Sequence, residues 1–198
     1  MNMWVPYVSA TVKCVPDAAT KIVFDRFHIM KHVGKAVDQV RREEQWELHR
    51  RGDTSLKKTR FLWLYSYENL PDHQRPRLDQ LMTLNLKVGR AWAIKESLRN
   101  LWDYRRPGWA RRFFKDWYAW AVRSRLKPIR RVAKMMRDRL DQIVTFCKHR
   151  ITQGVAEGLN SKIMAIKRFA CGFRNRRHFE IAILFHCGGL DLHPRYPH

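Results

Sequence analysis

Almost every apolar residue of the chain recurs at helical spacing, and one short run does not. That contrast restricts the fold to a mainly α body with a single strand. The strongest repeat spans residues 126–149. There Leu126, Ile129, Ala133, Met136, Leu140, Ile143 and Cys147 advance by threes and fours and draw one apolar seam. The spacing predicts one helix across that range. The exception is Lys21-Ile22-Val23-Phe24-Asp25, a continuous apolar run closed by an acid. It reads as a strand buried on both faces, with Asp25 at its carboxyl end, where α/β proteins usually keep their chemistry.

Most of the remaining pattern is helical. A helix is expected over 3–15, with Trp4, Val5, Val8, Thr11, Val12 and Val15 repeating, Pro6 in its first turn and Pro16-Asp17 as its stop. A long helix follows over 27–51, with Val33, Ala36, Val37, Val40 and Leu48 inward, ended by Gly52-Asp53-Thr54-Ser55. Arg60-Phe61-Leu62-Trp63-Leu64-Tyr65 reads as a packed turn. Glu68-Asn69-Leu70-Pro71 opens a helix whose stripe is Leu78, Leu81 and Met82. Helices over 85–102 and 107–124 carry Trp92, Trp102, Trp109, Trp117 and Trp120. Such indoles usually pack between helices, and stacking of one on an unpaired base is the alternative. Two last helices are expected. The first covers 154–170, with Val155, Leu159, Ile163 and Ile166 inward. The second covers 175–187, with Phe179, Ala182, Ile183 and His186 on one side. Residues 188–198 are expected to be an irregular tail.

Charge narrows the partners. Lys and Arg number 40 against 18 Asp and Glu, a formal net charge of +22, and a polyanion is the natural counterpart. No apolar run approaches the roughly 20 residues of a membrane span, and Lys13 and Asp17 interrupt the place of a signal-peptide core. A cytoplasmic protein with no membrane partner is therefore expected. Beside the 126–149 seam, Arg123, Lys127, Arg130, Lys134 and Arg137 form a parallel cationic stripe. It is either a phosphate-contacting surface or a solvated face. Arg176 and Arg177 open the last helix, where basic groups oppose the macrodipole unless an anion joins them. Cys14, Cys147, Cys171 and Cys187 make no Cys-x-x-Cys pair, so reduced, mostly buried thiols are expected. His28 and His32 are spaced for one helix face and could hold Zn²⁺ with Asp25 as a third ligand. The alternative is a histidine satisfied by Asp25 or backbone.

Two ordered blocks carry a family likeness. The first is Asp25-Arg26-Phe27-His28, preceded by Met1-Asn2-Met3-Trp4, Tyr7 and Pro16. The second is Gly154-Val155-Ala156-Glu157-Gly158-Leu159-Asn160-Ser161-Lys162, followed by Lys167-Arg168, Gly172-Phe173-Arg174-Asn175 and Phe179. The chain resembles the DDE transposases of bacterial insertion sequences, in particular the ISL3 group. The resemblance implies an RNase H-like core in which two Asp and one Glu hold two Mg²⁺ ions for strand cleavage and joining. Glu157 matches the Glu, and Asn2 stands where the second Asp belongs. The first Asp lies in a strand upstream of residue 1. Asp25 and His28 match an acid-x-x-His element that supports the triad, although Asp25 could itself be a metal ligand beside Glu157.

The fold class so implied is mainly α: the C-terminal fragment of an RNase H-like α/β core with one strand retained, plus an all-helical insertion. Residues 1–33 would be core remnant and 34–150 the insertion. Residues 151–187 would be core helices returning with Glu157, and 188–198 the tail. DNA is the expected substrate, with Arg123, Lys127, Arg130, Lys134, Lys167, Arg168 and Arg174 as its contacts. A second copy or a full-length transposase is the expected protein partner. A truncated, catalytically inactive transposase without competent Mg²⁺ binding is the leading expectation. The alternatives are a basic helical nucleic-acid binder without chemistry and a metal nuclease using Asp25 and Glu157.

Overall fold

The long helix α3 (Arg26–His49) is the spine of the structure, and both its ends are chemically specified. At its start the Asp25 carboxylate accepts the Phe27 N–H at 2.7 Å, which satisfies one of the N–H groups a first turn leaves unpaired. At its end Gly52 takes φ 78°. The Asp53 N–H then reaches the Leu48 carbonyl and the Gly52 N–H the His49 carbonyl, both at 3.0 Å. These paired bonds are the left-handed stop that glycine permits. The computed structural model describes residues 5–150 and 154–189, and among them every regular element is a helix. Contacts divide the chain into one unit over 1–151 and another over 152–198.

In the first unit α3 buries Ile29, Val33, Ala36, Val37 and Val40. It packs on α4 (Arg60–Leu64), α6 (Lys87–Leu98) and α8 (Lys127–Arg137). Two buried charges lock this arrangement. Glu44 of α3 accepts the Lys87 N–H at 2.7 Å and the Val88 N–H at 2.8 Å, and so caps α6 from 43 residues away. Lys95 of α6 is 3% exposed. It donates to the carbonyls of Trp63, Leu64 and Tyr65 at 3.0, 3.1 and 2.7 Å, closing the C-terminal end of α4. Burial lowers the Lys95 ammonium to about 8, although Glu96 at 3.3 Å pulls it upward.

Between α4 and α6, a 3₁₀ turn (Asp72–Gln74) precedes α5 (Arg75–Thr83). The helix therefore starts later than Pro71 suggests. Leu78 and Leu81 are buried but Met82 is exposed. Residues 60–65, expected as a turn, form α4 because Lys95 satisfies its end. After α6 a 3₁₀ turn (Arg99–Trp102) leads to α7 (Pro107–Arg123), which buries Ala110, Phe114, Trp117 and Ala121. Trp92, Trp102 and Trp117 are core residues, with Trp92 and Trp117 donating to the carbonyls of Tyr65 and Ile94. Trp109 and Trp120 are exposed.

The single helix expected over 126–149 is three: α8, α9 (Leu140–Val144) and α10 (Phe146–His149). The break is at Arg139, where φ is −125° and the N–H bonds back only three residues, to Met136. The apolar seam survives, with Leu126, Ile129, Ala133, Met136, Ile143 and Cys147 all buried. Spacing reports which side is buried and is blind to a local interruption that keeps the same side inward.

The expected strand is an extended segment from Ile22 (φ −72°, ψ 122°) to Asp25 (φ −70°, ψ 133°), with no sheet neighbour among the described residues. The Phe24 N–H instead donates to the Gln142 carbonyl of α9 at 3.3 Å. Preceding it are α1 (Val5–Cys14) and a short α2 (Ala18–Lys21). Val12 and Val15, expected on the inner side of the first helix, are exposed.

The second unit is a helical hairpin of α11 (Gly154–Phe169) and α12 (Arg176–Cys187). Cys171 (φ 49°) and Gly172 (φ 100°) close α11, donating to the carbonyls of Arg168 and Lys167 at 3.0 and 2.9 Å. Asn175 caps α12 through Arg177 N–H at 2.8 Å, and the rings of Phe173 and Phe179 lie 5.0 Å apart. Two helices alone have one shared face, so Leu159 and His186, expected inward, are exposed. Nor are the thiols mostly buried: Cys147 is, while Cys14 and Cys171 are exposed. No helix among the described residues is long and apolar enough to cross a membrane.

Replacing Glu44 by Ala should cost the first unit about 2 kcal/mol, because two buried N–H groups lose their acceptor. Lys95→Met should cost about 1–3 kcal/mol by leaving the Trp63 and Leu64 carbonyls without their side-chain donor, while Tyr65 keeps that of Trp92. Urea titrations of the intact chain measure both. An unfolded lysine titrates near 10.5 and the folded Lys95 near 8. Between those values the unfolded chain binds more protons, so native stability relative to Lys95→Met should rise with pH.

Candidate nucleic-acid interface

Helix α8 buries Pro128, Ile129, Ala133 and Met136 against α3 and α7. Its other side consists of Lys127, Arg130, Arg131, Lys134 and Arg137, all exposed. Arg137 is partly neutralised, donating to Asp138 at 2.8 Å and to the Tyr118 hydroxyl at 3.2 Å. Lys127, Arg130, Arg131 and Lys134 make no ion pair among the described residues. Arg123, in the last turn of α7, donates to the Ala119 carbonyl at 3.0 Å and extends the row. A merely solvated helix face usually interleaves acids with bases. Here cations of one sign crowd within three turns, which raises their mutual repulsion unless anions come to them.

The expected stripe is thus brought together, and it has a further member that the row of threes and fours omits. Arg131 lies off that row, yet at about 100° per residue it sits roughly 40° from Lys127 on the same arc. Drawing the whole polar arc, rather than a single row, reveals it.

Of the residues expected to carry chemistry, Asp25 and His28 lie at the start of α3 and Glu157 lies in the second unit. Asp25 is buried and serves as the N-cap of α3. His28 follows in the first turn, half-buried, with its ring edge-on to Phe27 at 5.5 Å. One turn on, His32 is exposed, and its imidazole is held below the ordinary histidine value. Partial burial is the main cause, followed by the positive charges of Lys35 and Arg139. Asn2 lies outside the described residues. Glu157 occupies the first turn of α11 and is exposed, as is Asn160 one turn later. Lys167 and Arg168 lie in the last turn of α11 and Arg174 in the link to α12, all exposed. Asp25 and Glu157 thus belong to different units. Arg176 is held by Glu180 at 2.9 Å within its own helix, so an external anion is not required to explain it.

Among the described residues no three His, Cys, Asp or Glu side chains converge as metal ligands. Neither the Zn²⁺ set of Asp25, His28 and His32 nor a carboxylate cluster for Mg²⁺ is assembled there. As the N-cap of α3, Asp25 uses Oδ1 to hold the Phe27 N–H; two Mg²⁺ ions would need several oxygen donors around each.

His32 should titrate below 6.5 in a proton NMR titration. Acid below that value should then destabilise the fold, because the unfolded chain takes up the proton more readily. Lys35→Gln should move the midpoint upward; an unmoved midpoint would exclude Lys35 as a cause.

Comparison with known proteins places these features in a family. A family model described as a transposase, of the ISL3 type, matches residues 1–183. The chain is 32% identical over 166 residues to the transposase for insertion sequence element IS1001 of Bordetella parapertussis, covering 82% of this chain and 41% of that protein. It is 26% identical over 195 residues to the transposase for IS1557 of Mycobacterium tuberculosis, covering 87% and 43%. The chain therefore spans about two-fifths of the length of the curated relatives it matches. No solved structure matches it. With its family's model matched over more than nine-tenths of its length, the chain belongs to the ISL3-type insertion-sequence transposases.

Proposed function

We propose that this chain forms the DNA-gripping part of an insertion-sequence transposase and does not cut DNA unaided. The observation that carries the reading is the α8 face, where Lys127, Arg130, Arg131 and Lys134 stand exposed without acidic partners among the described residues. Each phosphate they neutralise releases counterions. Four contacts then correspond to a log–log salt slope of about −3.6, or roughly a hundredfold loss between 50 and 200 mM salt. Contacts to phosphates fix position on the duplex without reading its sequence. Lys167, Arg168 and Arg174 would add a second set of contacts from the hairpin.

The cutting chemistry implied by the family requires Mg²⁺ between carboxylates, where the ions stabilise both attacking and leaving oxygens of the phosphoryl displacement. Glu157 supplies one such acid. Asn2 offers a neutral oxygen where a carboxylate is needed, and Mg²⁺ strongly prefers the charged ligand. Asp25 supports the site by fixing the start of α3, with His28 beside it. In this reading residues 34–150 are the helical insertion and 151–187 bring Glu157 back to the core. A second copy brings only another Glu157, so a longer transposase chain carrying both Asp would complete the acids.

Fluorescence anisotropy with duplex DNA of arbitrary sequence should show binding that weakens steeply with salt. Replacing Arg123, Lys127, Arg130 and Lys134 together by Gln should reduce the slope by about 3–4. An unchanged slope would make α8 a solvated face. In Mg²⁺ or Mn²⁺ the chain should neither nick nor join DNA. Nicking abolished by Glu157→Gln would instead identify a metal nuclease.

A further inference from the structure

On the α3 side of α8 lies a second cationic feature that no stripe in the sequence announces. A groove of about 640 Å³ lies between α3 and α8, and its lining includes His32, Lys35, Asp38, Arg42, Arg60 and Arg131. That volume falls within the roughly 300–1,000 Å³ of small-molecule sites, but such sites are mostly apolar or aromatic. This one is lined by guanidinium and ammonium groups, which excludes an apolar occupant and favours an anion.

The arrangement around Asp38 is what makes the groove more than a surface patch. Its carboxylate is only 14% exposed, and it meets Arg41 at 2.9 Å, Arg42 at 3.5 Å and Arg60 at 3.7 Å. One negative charge cannot balance three. Arg41 is itself buried and also donates to Gln45, whereas the side chains of Arg42 and Arg60 remain 65% and 58% exposed. Asp38 therefore draws two guanidinium groups to ion-pair distance while leaving most of their five donors to face solvent. Guanidinium forks suit phosphate oxygens, which accept two parallel N–H bonds. Lys35 and Arg131 add charge and form no ion pair among the described residues.

We propose that this groove is a phosphate-binding subsite that seats a stretch of nucleic-acid backbone alongside the α8 face. Continuity favours a long polyanion over a compact one: Arg131 belongs both to the groove wall and to the exposed arc of α8, so the two surfaces join into a single track. The inference rests on the DNA-gripping reading and extends it to residues of α3 and α4.

The test uses the whole chain and a duplex of about 16 base pairs, long enough to cover more than one helical turn, with the salt slope as readout. The double variant Lys35→Gln/Arg131→Gln removes two exposed cations that hold no partner in place, and it should lower the slope by about 1.8, two phosphate contacts at about 0.9 each. The charge-preserving pair Lys35→Arg/Arg131→Lys should keep the native slope. Inorganic phosphate at matched ionic strength should compete no better than chloride, since a single phosphate cannot span the track. A fall of only about 0.9 is the α8 contact of Arg131 alone and overturns the groove; a double Gln variant with the native slope overturns the groove and also removes Arg131 from the α8 contacts, leaving Lys127, Arg130 and Lys134 to carry that reading. The groove is equally overturned if the charge-preserving pair loses as much as the Gln pair, or if inorganic phosphate displaces the duplex at stoichiometric levels. A native chain with no salt-dependent binding removes both readings together.

Discussion

A carboxylate buried between two helices sets the geometry of the first unit. Glu44 reaches from α3 to the first two N–H groups of α6. Because each of its oxygens takes one donor, it fixes both the position of α6 along α3 and its rotation. At the other end of α6, Lys95 donates to three carbonyls at the end of α4. Apolar packing is tolerant of small slides; a charge desolvated on specific backbone atoms is not, since any slip leaves it unpaired. The pair therefore converts a helical cluster into one register.

Everything functional in that unit follows from what α3 does with its remaining sides. With α6 held on one side, α3 presents Asp38 and its arginines toward α8, and α8 turns its apolar side inward and its cations out. Helix α7 packs on both α6 and α8, and brings Arg123 to the end of the same cationic row. The net charge of +22 opposes compaction by self-repulsion, and the α8 arc is a place where cations stand together without acidic partners among the described residues.

How much of this could be read from the residues depends on which interaction decides each feature. Burial periodicity located α3, α7 and α11 well, and Gly52 marked a real helix stop because only the left-handed backbone closes there. It failed at Arg139, since an interruption that preserves the buried side leaves no trace in spacing. It also failed at residues 60–65, because α4 is closed by Lys95, 30 residues downstream. Asp25 was legible as the acid ending an extended run, yet a helix cap and a metal ligand look alike in sequence. The α3–α8 groove was invisible for a different reason. Lys35 and Arg42 lie on α3, Arg60 on α4 and Arg131 on α8, and only the packing of three helices makes them neighbours.

On the reading proposed above, the folded body presents one cationic track to a phosphate backbone, and lysine footprinting examines that directly. The chain is acetylated briefly with and without duplex DNA, and modified lysines are quantified by mass spectrometry. Lys127 and Lys134 on α8 and Lys35 on α3 should be protected by the duplex, whereas Lys87, already paired with Glu47 at the start of α6, should react equally in both. Protection spread evenly over all exposed lysines, or absent from Lys127 and Lys134, would contradict it.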